Sequence, residues 1–294
     1  KQERRYQRMI TVVLALISLI MVIPLVLLVV ASFTSNNEIV LHGYSFFPKE
    51  LSLEAYRYIW NERAQVFHAY GITILVTAIG TTIGVMMTLL YAYVLAHEKF
   101  PGKTFLAFYL FFTMLFNGGL VPTYIMYTRY LHMKNTIPAL IIPGLLMSAF
   151  NVILTRTYIQ SNVPAALSEA AKIDGATEFQ VFRKVVLPMC KPIIATVGLF
   201  AGLGYWNDWT NGLYYITDTN KFSIQQLLNN MIKNIEFLSK NANSNINLAS
   251  VGGGIPQETV RMAIAIVGLL PILIVFPFVQ KYFVKGISIG AVKG

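Results

Sequence analysis

Five consecutive residues, Tyr205-Trp206-Asn207-Asp208-Trp209, set three aromatic rings beside an amide and a carboxylate. That mixture suits a sugar, whose C–H faces stack on rings while its hydroxyls exchange hydrogen bonds with polar groups. The cluster closes an apolar run, and an aromatic belt at a membrane–water interface accounts for it about as well. An ionisable residue at mid-depth in a membrane costs about 3 kcal/mol and would mark Asp208 as functional, but near the outer end of the run, where Asp208 falls, that cost fades. Asn117, beside Gly118-Gly119, and Asn151, shortly after Pro143-Gly144, interrupt two further apolar runs. Broken backbone at membrane depth is tolerated where it lines a cavity or is covered by protein. These residues are therefore candidates for a solute path, and helix kinks with no such role are the alternative.

Other chemistry is missing. His42, His68, His97 and His132 are scattered without metal-ligand spacing. There is no GxSxG elbow and no His–Asp set to activate a nucleophile. Pro101-Gly102-Lys103-Thr104 ends like a phosphate-binding loop, yet the glycine needed five residues before Gly102 is replaced by His97 and no strand precedes it. No catalytic residue, metal site or cofactor is expected in this chain, and any ATP must be hydrolysed elsewhere. The single cysteine, Cys190, excludes an intrachain disulfide and reads as a small packing residue.

The elements that must position these residues are membrane helices. The chain is 55% hydrophobic and only 12% charged, about half the charge share of a soluble domain, and a soluble fold could not hide so much apolar surface. Apolar runs of crossing length, roughly 20 residues, predict an all-α integral membrane protein with six spans near 9–33, 70–96, 104–128, 137–160, 189–212 and 260–284. The first run is too long for a signal-peptide core and no clear cleavage site follows, so it is expected to be kept as a span. The chain opens on Lys1 rather than Met, so trimmed or missing residues before it are expected.

The net charge of +10 is not gathered into a phosphate-binding patch, which argues against nucleic acid. Alternating the sides of the six spans puts Lys1, Arg4, Arg5, Arg8, Lys99, Lys103, Arg156, Lys172, Arg183, Lys184, Lys191, Lys281, Lys285 and Lys293 on one face. The other face has the smaller set Lys49, Arg57, Arg63, Arg129, Lys134, Lys221, Lys233 and Lys240, spread over longer segments, with Arg261 at a boundary. The positive-inside rule then places both termini in the cytoplasm. Residues 1–8 form a cytoplasmic lead, 9–285 the transmembrane domain and 286–294 a cytoplasmic tail.

Between the fourth and fifth spans lies a cytoplasmic stretch, 164–188, with specific punctuation. Pro164 suits a helix start, helix formers run to Asp174, and Gly175 is placed to end the helix in a left-handed turn. Thr177 with Gln180 reads as a capping box opening a second helix, which Pro188 is expected to stop or kink. Ala165, Ala166, Ala170 and Ala171 on the first helix are small enough to let another protein's backbone come close. An ordinary helical loop is the plain alternative.

Glu169-Ala170-Ala171, then Gly175 after three intervening residues, then Val185 and Leu187-Pro188 resemble the signature of ABC importer permeases, with Val185 where that family has Ile. Asp174-Gly175-Ala176 resembles the sugar-importing, maltose-type branch, and Trp206-Asn207-Asp208 is similar to the Trp-Asn-Glu of sugar permeases, with Asp in place of Glu. The resemblance covers about residues 9–285. It implies a permease subunit of an ATP-driven, binding-protein-dependent importer in a bacterial inner membrane, carrying oligosaccharides or polysaccharide fragments. It also implies a second permease subunit, a cytosolic ATPase dimer holding ATP and Mg, and an extracellular substrate-binding protein. Glu169, Ala170, Ala171, Asp174, Gly175, Leu187 and Pro188 would form the ATPase-coupling element, with Glu169 pairing with a basic residue of the ATPase. A permease of the same superfamily for a non-sugar solute is the alternative. An ion-gradient transporter would want paired intramembrane acids, and only Asp208 is a candidate.

Two external segments complete the reading. Residues 34–69 carry Tyr44, Phe46, Phe47, Tyr56, Tyr58 and Trp60, suited to the headgroup layer or to a docking surface. Within 213–259, Ser223 can cap an amphipathic helix bearing Ile224, Leu227, Leu228, Met231, Ile232, Ile235 and Leu238 on one stripe. Residues 241–247 and Gly252-Gly253-Gly254 read as flexible chain. By resemblance, this loop contacts the binding protein. Gly80 with Gly84, and Gly198 with Gly202, are small-residue pairs that permit close helix packing in lipid.

Overall fold

Long apolar stretches without alternation can satisfy their backbone in lipid only as helices, and helices make up nearly all of this protein. The computed structural model describes residues 2–97, 100–242 and 257–291. In chain order the helices are α1 (Gln2–Ser32), α2 (Asn36–His42), α3 (Glu54–Asn61), α4 (Arg63–Ala96) and α5 (Lys103–Leu115). Then follow α6 (Leu120–Tyr130), α7 (Pro138–Ile141), α8 (Ala149–Asn162), α9 (Ala165–Ile173), α10 (Glu178–Met189) and α11 (Lys191–Asn207). The last are α12 (Thr210–Tyr215), α13 (Ile224–Ala242) and α14 (Gln257–Ala291). Among the described residues the sole β pairing is an isolated bridge between Thr34 and Leu51.

Among the described residues three stretches are long and apolar enough to cross a membrane unbroken: Arg5–Ser32, Arg63–Ala96 and Gln257–Pro277. Two bent pairs raise the number to 5 if each pair counts as one crossing: α5 with α6, bent by 114°, and α10 with α11, bent by 82°. The first bend falls at the expected interruption. Gly119 adopts φ +83°, and its N–H bonds the Asn117 side chain at 2.9 Å. The run expected to cross at 137–160 is divided instead into α7 and α8. Pro143 has no N–H to give a helix and Gly144 takes φ +72°, so residues 142–148 leave the helical path.

The chain forms two compact units. One contains Lys1–Phe67 and Leu227–Leu273, the other His68–Gln226 and Ile274–Gly294. In the first, the segment after α1 is built rather than loose. Ser32 and Tyr56 share a hydrogen bond of 2.8 Å, Phe33 stacks on Tyr56 at 4.8 Å, and the Glu38 carboxylate accepts from the backbone N–H groups of Lys49 and Glu50. Tyr44, one of the aromatic residues expected at the headgroups, donates to Glu258 at 3.0 Å. Arg261 bridges Glu236 and Glu258. On α13 the expected stripe is present: Leu227, Leu228, Met231 and Ile235 are buried, as is Ile224 just across the division in the second unit, and the Ser223 hydroxyl accepts from Gln226 N–H. Of the chain expected to be flexible, Asn241 and Ala242 instead close α13, while 243–247 and Gly252-Gly253-Gly254 lie outside the described residues, as does the side chain of Leu238.

In the second unit the core runs along α4, α8, α10 and α11, with Leu89, Leu95, Val152, Ile159, Val186 and Val197 among its buried members. Cys190 is fully buried in it, as a packing residue. Glycines let its parts approach. A methyl on Gly84 would come within 2.6 Å of the Leu146 carbonyl oxygen, and one on Gly80 would fall on the Tyr205 ring. Beyond the helices, side chains cap freed carbonyls. Asn211 donates to the Pro143 carbonyl at 2.9 Å, Gln226 donates to the Gly212 and Ile216 carbonyls, and Asn135, at φ +58°, binds the backbone of Thr217 and Asp218.

The packing on Gly80 is directly testable. Gly80→Ala should lower stability by about 1–3 kcal/mol through overpacking, seen as a lower thermal midpoint of the detergent-solubilised protein. Gly198→Ala, whose added methyl meets Val85 at an ordinary 3.9 Å, should leave that midpoint nearly unchanged.

Candidate functional site

The stretch 164–189 folds as its residues dictate. Pro164 is extended (φ −60°, ψ 128°) and serves as the N-cap, so α9 begins one residue later than its proline suggested. At the other end Gly175 takes φ +83°, its N–H bonds the Lys172 carbonyl at 3.0 Å, and Ala176 N–H bonds the Ala171 carbonyl at 2.9 Å. That pair of bonds is the Schellman motif, which needs a left-handed residue at this position. The capping box follows: Thr177 N–H bonds the Gln180 side chain at 2.8 Å, and Gln180 N–H bonds the Thr177 hydroxyl.

Pro188 does not stop the second helix. Residues Phe182–Val186 widen into a π turn, in which Leu187 N–H reaches back to the Phe182 carbonyl. A proline ring normally strikes the carbonyl four residues earlier, and the wider turn makes room for it. The helix therefore runs through to Met189 and bends only at Cys190.

The elbow presents one surface and anchors another. Glu169, Ala170, Asp174, Gly175 and Pro188 are exposed, while Ala171 and Leu187 pack partly against the core. Leu167, Ile173 and Phe179 leave large apolar surface open to solvent, Ile173 at 86% exposure. Val181, Phe182 and Val186 are buried in the core and root α10 there.

A set of residues that sequence reasoning passed over ties the elbow to the end of α4. Glu178 pairs with Lys172 at 2.5 Å, and the Tyr93 hydroxyl donates to Glu178 at 2.8 Å. His97 lies 3.2 Å from Lys172 and 3.8 Å from Glu178, and Tyr93 packs on Phe182 at 5.2 Å. The Lys172 ammonium holds the Glu178 carboxyl below its ordinary value, with help from the Tyr93 hydroxyl against the opposing effect of burial. Nothing in the sequence around Glu178 points to these contacts. The partners at the end of α4 lie 75 to 85 residues away from the elbow, and no local pattern signals them.

A separate cleft of about 370 Å³ opens among α4, α8, α11 and the irregular segment 142–148, with Thr88, Ser148, Phe150, Asn151, Phe200 and Gly204 in its wall. Of the candidate path residues, Asn151 alone lines it. Asn117 shapes the turn before α6. Tyr205 is buried over Gly80, with its hydroxyl bonded to the Ile141 carbonyl at 2.9 Å. Trp206 lies 6.3 Å from the Tyr70 ring, while Asn207 and Trp209 are exposed. Asp208 caps α12, accepting from Thr210 and Asn211 N–H at 3.0 and 3.3 Å. The five-residue cluster is thus dispersed into packing, capping and surface positions. Among the described residues no group of His, Cys, Asp and Glu could hold a metal ion.

Comparison with known proteins agrees with the helical layout. The model of the family described as "Binding-protein-dependent transport system inner membrane component" matches residues 3–289. The chain is 35% identical to the polygalacturonan/rhamnogalacturonan transport system permease protein YtcP of Bacillus subtilis (strain 168), over 100% of both chains. It is 34% identical to Protein LplC of the same organism, over 94% of this chain and 90% of that one. Among solved structures it is similar to a chain of a bacterial ABC transporter involved in the import of the acidic polysaccharide alginate. There the TM-score is 0.76 at 27% identity, covering 96% of this chain and 98% of that chain. With nearly its whole length matched in sequence and in fold, this chain belongs to the binding-protein-dependent transport system inner membrane components.

Proposed function

We propose that this chain is one of two permease subunits of an ATP-driven importer of oligosaccharides or polysaccharide fragments, and that α9–Gly175–α10 couples it to a cytosolic ATPase. The observation that carries the coupling role is the elbow itself, exposed and apolar at Leu167, Ile173 and Phe179 yet rooted in the core through Val181, Phe182 and Val186. Glu169, Ala170, Ala171, Asp174, Gly175, Leu187 and Pro188 form the element that the ATPase dimer, with its ATP and Mg, would grip. The likeness to oligosaccharide permeases supports the solute class. In this reading α1, α4, the pair α5–α6, the pair α7–α8, α11 and α14 make six crossings of the bacterial inner membrane, with both termini and the elbow in the cytoplasm. The charge asymmetry of the loops supports that orientation. An extracellular binding protein would deliver solute against the segment 213–259.

The elbow's geometry sets the first test. Gly175→Pro replaces φ +83° with a ring fixed near −65°. In proteoliposomes holding the whole complex, solute carried per ATP should fall at least tenfold, and normal coupled uptake would sink the assignment.

A second test concerns Glu178. Its folded value lies below the ordinary 4.5, so its contribution is complete above that value and is lost as pH falls through the lowered one. Amide protection across 165–189, taken relative to the intrinsic exchange rate at each pH, should fall on acidification from pH 6 to pH 3. Glu178→Gln should already exchange faster at pH 6 and show a flatter response to acid.

A further inference from the structure

The cleft beside α8 has a feature the coupling reading does not use. α8 is a 14-residue helix whose first turn is uncapped. Its Ser148 N-cap makes no side-chain hydrogen bond, and the first backbone bond into the helix runs from Val152 N–H to the Ser148 carbonyl at 3.1 Å. The N–H groups of Ala149, Phe150 and Asn151 have no acceptor among the described residues. Helix N-termini carry about half a positive charge on such free donors, and bare ones inside a protein call for a partner.

The second observation is independent of the helix end. Asn151 is 9% exposed and lines the cleft, and its side-chain amide has no hydrogen-bond partner among the described residues. No Asp, Glu, Lys or Arg stands in the cleft wall, so neither a competing carboxylate nor a fixed cation is present. The wall thus offers backbone donors and one amide, with the Phe150 and Phe200 rings beside them.

We infer that this cleft is a transit subsite for the carboxylate of an acidic sugar unit, received by the N-terminus of α8 and the Asn151 amide while a ring face rests on the flanking aromatic residues. The inference rests on the reading of this chain as an oligosaccharide permease and narrows the solute to one bearing uronic acid groups. A carboxylate accepts hydrogen bonds and donates none, which matches free N–H donors better than a hydroxyl does. Broken-helix N-termini facing anionic substrate groups are a general device of membrane transport. Holding the anion on dipoles rather than on a lysine or arginine leaves it free to depart, as a site in a pathway requires.

The test uses the complete reconstituted complex and two solutes: a uronic acid trisaccharide and its fully methyl-esterified form, the same rings with the carboxylates masked. The unaltered complex should prefer the acid form. Asn151→Asp places a like charge in the subsite and should lower the acid-to-ester uptake ratio at least tenfold. Asn151→Leu, which removes the donor without adding charge, should lower it about threefold or more, and it decides the matter if the Asp variant does not reach the membrane. Ratios within twofold of the unaltered complex in the variants that insert would overturn the subsite. A complex that carries the ester as well as or better than the acid overturns the carboxylate assignment alone, whereas one that carries neither solute overturns the oligosaccharide reading and this inference with it.

Discussion

Backbone N–H and C=O groups cannot be left bare in the hydrocarbon of a membrane, and each unsatisfied one costs several kcal/mol. This chain nevertheless breaks its helices at Gly118-Gly119, at Pro143-Gly144 and at Pro188-Cys190, so the arrangement around each break is an answer to that cost. At Pro188 the answer is local, a π turn that absorbs the ring and postpones the bend to Cys190. At Pro143 it is distant: Asn211 supplies the donor for the freed carbonyl, and Tyr205 does the same for Ile141. On the far side of that same break, at the start of α8, the freed groups are donors, and no side chain among the described residues answers them.

The same bookkeeping separates the stronger hold on the elbow from the weaker one. Burying Val181, Phe182 and Val186 is worth about 1.5–3 kcal/mol for each side chain, so α10 is fixed to the core by several kcal/mol. The Lys172–Glu178 pair, with Glu178 59% exposed, belongs to the class of surface ion pairs worth about 0–1 kcal/mol. The apolar root therefore supplies most of the hold on α10, and the Lys172–Glu178 pair with Tyr93 adds a weaker tie between α9, α10 and the end of α4. Gly175 fits the same division, since a left-handed turn closed by two backbone bonds is a joint of defined shape rather than a loose hinge.

What could be read in the chain was what depends on near neighbours. Gly175, the Thr177–Gln180 box and the Ser223 cap each act across three to five residues, and the structure has them where the spacing put them. Crossing-length helices at 9–33, 70–96 and 260–284 followed from composition alone. The division of 137–160 was harder, because an apolar run with Pro-Gly inside it supports either a kinked span or two helices, and only the carbonyls' distant partners decide between them. Tyr205 was misleading for a similar reason. Its type and its neighbours suit a sugar, but Gly80 leaves a hollow that its ring fills, and nothing near 205 in the chain records that hollow.

The elbow and the cleft are joined by the elements they share. α4 carries Gly84 and Thr88 in the cleft wall and Tyr93 at the elbow, and His97 follows directly on its last residue, Ala96. At 1.5 Å per residue the run from Gly84 to Ala96 is about 18 Å of continuous helix. α11 follows α10 through the bend at Cys190 and brings Phe200 and Gly204 to the same wall. Gly84 sits so close to the Leu146 carbonyl that not even a methyl group fits between them. A tilt of α4 imposed at the elbow, as proposed, would press on that contact and on segment 142–148, which leads into the first turn of α8. This close contact lies between the point where force would enter and the donors that would hold a solute, which is where a mechanical transporter needs its stiffness.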